Sequence, residues 1–76
     1  MTVEEVEQMI VGALPDAKVA VRDLTGGGDH FEAMVISEAF EGKNLVQRHQ
    51  MVYKALGDAM SGPIHALQLT TTTPDV

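Results

Sequence analysis

Three histidines and no cysteine set the terms on which this sequence could do chemistry. His30 follows the run Thr25-Gly26-Gly27-Gly28-Asp29, and His65 follows Gly62-Pro63-Ile64. Each stands at the start of an apolar or β-branched stretch, directly after a glycine-containing break. Such a rim position leaves a ring nitrogen reachable from outside. It suits a structural histidine or a metal ligand. His49 differs, because it lies at helical spacing among Leu45, Val52 and Leu56. A lone histidine on such a face is ordinarily packed, with its ring nitrogens hydrogen-bonded. Without cysteine the chain has no thiolate nucleophile, redox dithiol or thiolate ligand of its own. Two histidines alone cannot close a tetrahedral site. A metal held by His30 and His65 would therefore need further ligands from elsewhere.

Other chemistry is poorly represented. The sequence contains neither GxSxG nor HExxH, and Gly26-Gly27-Gly28 lacks the Gly-Lys-Ser/Thr ending of a phosphate-binding loop. Nothing marks a carboxylate pair as catalytic rather than solvating. The stretch MTVEEVEQMI carries three glutamates and no basic residue, unlike a signal peptide. No apolar run approaches the ~20 residues of a membrane span. The absence of cysteine suits a reducing compartment. The expectation is a soluble, cytoplasmic protein, not bound to membranes, whose residues 1–76 form a single domain.

The elements that would position the histidines follow from the pattern. Thr2-Val3-Glu4-Glu5 has the form of a capping box, and Val3, Val6, Ile10 and Leu14 recur at helical spacing. A helix is predicted over residues 2–14, stopped by Pro15. Residues 17–23 alternate, with Val19 and Val21 on one face and Lys18 and Arg22 on the other. That is a half-exposed strand. Gly26 to Asp29 is a turn, and residues 31–37 form a second strand, giving a hairpin. Asn44 is a plausible N-cap for a second helix over 44–60, with Leu45, His49, Val52, Leu56 and Ala59 on its apolar face. Ser61-Gly62-Pro63 ends it, a third strand runs over 64–72, and Thr73 to Val76 is a tail. The order helix, strand, strand, helix, strand implies a two-layer α+β domain with both helices on one face of a three-stranded sheet. The last strand could return parallel to one of the first two.

Charge is unevenly spread. The formal net charge is −6, yet residues 42–56 carry Lys43, Arg48 and Lys54 and no acid. An acidic chain is repelled by nucleic acid overall, although one basic face could still meet phosphates. The plainer reading of that face is a solvated helix surface.

The stretch FEGKNLVQRHQMVYKAL, residues 40–56, resembles the signature of the BolA family. Phe40, Gly42, Arg48, His49, Val52 and Leu56 fill the family's places. DHFEAMVIS is similar to its second strand, and IHALQLT to its last, with His65 at the family's C-terminal histidine. The resemblance implies an α-β-β-α-β domain with a mixed sheet and a type II KH-like topology. It also implies a short extra helical turn before the last strand, which would use Ser61-Gly62-Pro63.

The resemblance further implies a function. BolA-like proteins pair with monothiol glutaredoxins and share a [2Fe-2S] cluster, in iron–sulfur trafficking and iron regulation. The glutaredoxin cysteine and glutathione bind one side. The BolA-like partner supplies the C-terminal histidine and a histidine or cysteine near the loop between the first two strands. Here those ligands would be His65 and His30. Some members carry the loop ligand several residues earlier, where this sequence has Gly27, and many have a tryptophan after Thr-Pro, where it has Asp75. A second function implied by the resemblance is transcriptional regulation through nucleic acid, which would use Lys43, Arg48 and Lys54. A third reading is an interaction domain whose histidines are purely structural. On the first reading the chain is a non-enzymatic adaptor. Phe40, Gly42 and His49 then serve the fold.

Overall fold

The computed structural model describes residues 1–74. Helix α1 (Val3–Ala13) begins where its capping box predicts. The Glu5 N–H donates to Thr2 Oγ1 at 3.1 Å, and the Thr2 N–H donates to Glu5 Oε1 at 2.8 Å. These reciprocal bonds satisfy N–H groups that a helix start leaves free. Strands β1 (Lys18–Asp23) and β2 (His30–Ile36) pair antiparallel, from Lys18 opposite Ile36 to Asp23 opposite Phe31. Strand β3 (Ala66–Thr72) runs parallel to β2, from His30 beside Ala66 to Ile36 beside Thr72. The sheet is therefore mixed, with β2 at its centre. A parallel neighbour needs a crossover, which α2 (Leu45–Leu56) supplies.

Alternation along β2 assigns the faces. Phe31, Ala33 and Val35 are fully buried and pack with Val6, Ile10, Val52 and Leu56 of the two helices. Met34, between them in the alternation, is 48% exposed. The structure is thus the expected two-layer α+β fold with one open sheet face.

Five local features differ from the sequence reading. Helix α2 stops at Leu56 rather than at residue 60, because Gly57 takes φ +53° and its N–H donates back to the Tyr53 carbonyl. Glycine adopts that conformation without a Cβ penalty and so ends the helix. The extra turn is a 3₁₀ segment over Gly57–Ser61, not Ser61-Gly62-Pro63. Strand β3 begins at Ala66 rather than at residue 64, since the Ile64 N–H is spent on the Ala59 carbonyl at 2.9 Å. A further 3₁₀ turn, Glu38–Phe40, precedes α2; Ser37 Oγ caps it by accepting the Ala39 N–H at 3.1 Å. On α2 the apolar face is shorter than its spacing suggests. Val52 and Leu56 are buried, but Leu45 is 62% exposed because the first turn of the helix buries nothing. Of the tail, Asp75 and Val76 lie outside the described residues.

Candidate functional site

Two aspartates fasten the glycine loop that leads to His30. Asp23 Oδ1 accepts the backbone N–H groups of Thr25 at 3.2 Å and Gly26 at 2.9 Å, and its Oδ2 accepts that of Gly28 at 2.9 Å. Gly28 has φ +75°, and a Cβ there would stand 2.7 Å from the Met1 carbonyl oxygen. The Met1 ammonium donates to the Gly28 carbonyl at 3.1 Å. At the far end, the Asp29 carbonyl accepts two N–H groups, from His65 at 2.7 Å and Ala66 at 3.2 Å. The end of the loop is thereby tied to the start of β3.

This tie brings His30 and His65 together. Their ring centroids are 5.0 Å apart, with the planes inclined by 48°. His30 is half-buried and its Nδ1 is shielded from solvent, 3.0 Å from Asp29 Oδ1. The ring N–H is not aligned along that line, so this is a close contact rather than a well-formed hydrogen bond. The nearby His30 nitrogen holds the Asp29 carboxyl below the usual aspartate range; partial desolvation opposes this and the Thr25 hydroxyl adds to it. His65 is exposed, and no described protein group hydrogen-bonds its ring.

Among the described residues, no group of three or more histidine, aspartate or glutamate side chains could hold a metal ion. The spacing of the histidine rings is compatible with half of a tetrahedral site. Metal–nitrogen bonds of ~2.0–2.1 Å put two imidazole centres on one metal roughly 5 Å apart. The remaining ligands would have to come from another molecule.

A family model described as BolA-like protein matches residues 8–76. The chain belongs to the BolA family. It is 44% identical over 70 residues to Protein BOLA2 of Arabidopsis thaliana, covering 91% of this chain and 74% of that one. Its fold matches a BolA homologue from Coxiella burnetii with a TM-score of 0.85 and 41% identity, over 99% and 94% of the two chains. It also matches the BolA domain of SufE1 from Arabidopsis thaliana, with a TM-score of 0.87 and 29% identity over 96% and 92%. Some curated relatives are much longer: the chain spans 36% of BolA-like protein 1 from Mus musculus and 15% of SufE-like protein 1.

The BolA signature residues serve the turn into α2. Phe40 is fully buried. Gly42 has φ +76° with open space around it, so the backbone conformation, not crowding, asks for glycine there. The Lys43 N–H donates to the Phe40 carbonyl at 3.0 Å, and Arg48 Nε donates to the Lys43 carbonyl at 2.9 Å. The three basic residues therefore divide. Arg48 is committed to the turn, while Lys43 and Lys54 rim a shallow hollow of about 260 Å³ with Gln47, Gln50 and Met51. His49 is half-buried and set edge-on to Tyr53, with ring centroids 6.4 Å apart. Its Nε2 is shielded and has no hydrogen-bond partner among the described residues, contrary to expectation. It makes no ring contact with the other two histidines.

Sequence reasoning singled out His30 and His65, which the fold brings side by side, but passed over Asp23 and Asp29. Aspartate two residues before a threonine–glycine run is a signal for a side chain that bonds its own following backbone, and Asp23 carries it. Asp29 carries no such signal.

Proposed function

We propose that this BolA chain is a non-enzymatic adaptor that co-ligates a [2Fe-2S] cluster with a monothiol glutaredoxin and glutathione. The cluster is cargo, held for iron–sulfur trafficking or iron-dependent regulation. The observation supporting the reading is the pair of imidazoles, 5.0 Å apart, with no third ligand beside them among the described residues. A chain built this way offers half a site and requires a partner for the rest. The glutaredoxin cysteine and the glutathione thiol are the complementary half. Two neutral imidazoles in place of two thiolates reduce the negative charge on the iron they bind, a substitution that raises the reduction potential in Rieske centres.

The test is to mix the protein with a monothiol glutaredoxin, glutathione, iron and sulfide, and to record visible absorption and circular dichroism. A spectrum distinct from that of glutaredoxin alone is expected, and it is lost in His65→Ala and in His30→Ala. Loss in His65→Ala only would move the second ligand away from His30. Because imidazole binds iron only when deprotonated, the mixed spectrum is expected to bleach between about pH 8 and pH 5, across the ordinary imidazole value near 6.5. No new spectrum on mixing would end this reading.

A second reading, nucleic-acid binding, rests on the hollow rimmed by Lys43 and Lys54. It requires an affinity that falls steeply with salt and is weakened across sequences by Lys43→Ala.

A further inference from the structure

We propose that Asp29 is a positioning residue that fixes which nitrogen of His30 faces outward and holds His65 beside it. The proposal rests on the cluster reading for its use, but its geometry stands apart from that reading. His30 Nδ1 is shielded from solvent and faces Asp29 Oδ1 at 3.0 Å. An incoming metal can therefore reach this ring only through Nε2. A lone pair on Nε2 requires the neutral ring to carry its proton on Nδ1. The hydrogen bond made by one ring nitrogen sets which tautomer is present. Carboxylates fill this place behind many metal-binding histidines, where they fix the ring and raise its basicity.

The carboxylate is itself steadied. Thr25 Oγ1 donates to Asp29 Oδ1 at 3.3 Å, and a Cβ on Gly27 would come within 3.2 Å of the same oxygen. The absence of a side chain at Gly27 keeps that space open. The main chain of Asp29 does separate work, since its carbonyl receives the His65 and Ala66 N–H groups. One residue thus holds His30 through its side chain and His65 through its backbone. Substitution removes the first hold and leaves the second, so the two are separable.

The experiment is long-range ¹H–¹⁵N NMR on the metal-free protein at about pH 8, where an ordinary imidazole is neutral. In the wild type, His30 is expected mainly as the Nδ1–H tautomer. His65, with no side-chain partner, is expected mainly as the Nε2–H form common to free imidazole. In Asp29→Ala, His30 is expected to revert to Nε2–H while His65 does not change. Asp29→Asn, which keeps an acceptor of the same size without the charge, is expected to fall between them. It also serves if the alanine variant folds poorly. In the mixed complex, Asp29→Ala is expected to raise the cluster's midpoint potential and to weaken its retention roughly 10- to 100-fold, the usual loss when a group behind a metal ligand is removed.

A wild-type His30 found mainly as Nε2–H, or a tautomer indifferent to Asp29→Ala, would overturn the proposal. If the tautomers behave as expected but no variant, nor the wild type, forms a mixed cluster, the orienting role of Asp29 stands and the cluster reading falls.

Discussion

Asp16 gathers two donors onto one exposed carboxylate, the Ser37 hydroxyl and the Glu38 N–H, each at 2.8 Å. The Glu38 N–H, and after it the Ser37 hydroxyl, holds the carboxyl below its ordinary value of 3.8. The sign of the consequence follows. The unfolded chain takes up this proton first as pH falls, so the contribution to stability is full above about pH 4 and is lost below it, as pH falls through the folded value. Urea midpoints measured from pH 5 to pH 3 are therefore expected to fall less steeply in Asp16→Asn than in the wild type. Equal slopes would remove Asp16 from the acid sensitivity of the fold. The residue scale is also where the sequence was read unevenly. His30 and His65 were legible because glycine and proline punctuate the chain just before them. Asp16 and Asp29 were not. Their partners, Ser37 and Glu38 for one and the starts of two strands for the other, become neighbours only in the folded sheet.

The β1–β2 loop behaves as a fastened element rather than a slack one. Gly26 and Gly28 both have positive φ, but only Gly28 would also push a Cβ against backbone. An L-residue forced into the left-handed region costs about 1–2 kcal/mol. Gly26→Ala is expected to lose about that much in a urea titration, and Gly28→Ala to lose more, because its Cβ would meet the Met1 carbonyl oxygen at 2.7 Å. If the two variants unfolded alike, the packing of Met1 on the loop would carry no stability. The order and type of the major elements could be read from periodicity and from the Thr2 and Asn44 caps. Their ends were harder. Ala59 continues the apolar spacing of α2 past Gly57, so the pattern runs through a helix end that only the glycine's backbone marks.

At the scale of the whole molecule, the layering was legible because β2 alternates cleanly and both helices are amphipathic. Strand direction came less directly: the long helix before the last strand allowed a parallel return, and the family resemblance implied the mixed sheet that is found. The parallel pairing found here has a kinetic consequence. Residues of β2 pair with β1 across a short loop, but with β3 residues 36 positions further along. Short loops close at a smaller entropic cost, and contacts of long sequence separation form slowly. The hairpin should thus acquire amide protection before β3 in pulsed hydrogen exchange during refolding; simultaneous protection would argue for concerted assembly. His30 belongs to the early hairpin, and His65 immediately precedes the late strand. A nascent or partly folded chain then displays single, separated imidazoles. The pair comes into existence only when the last strand docks, so under the proposed function cargo binding would be a privilege of the finished fold.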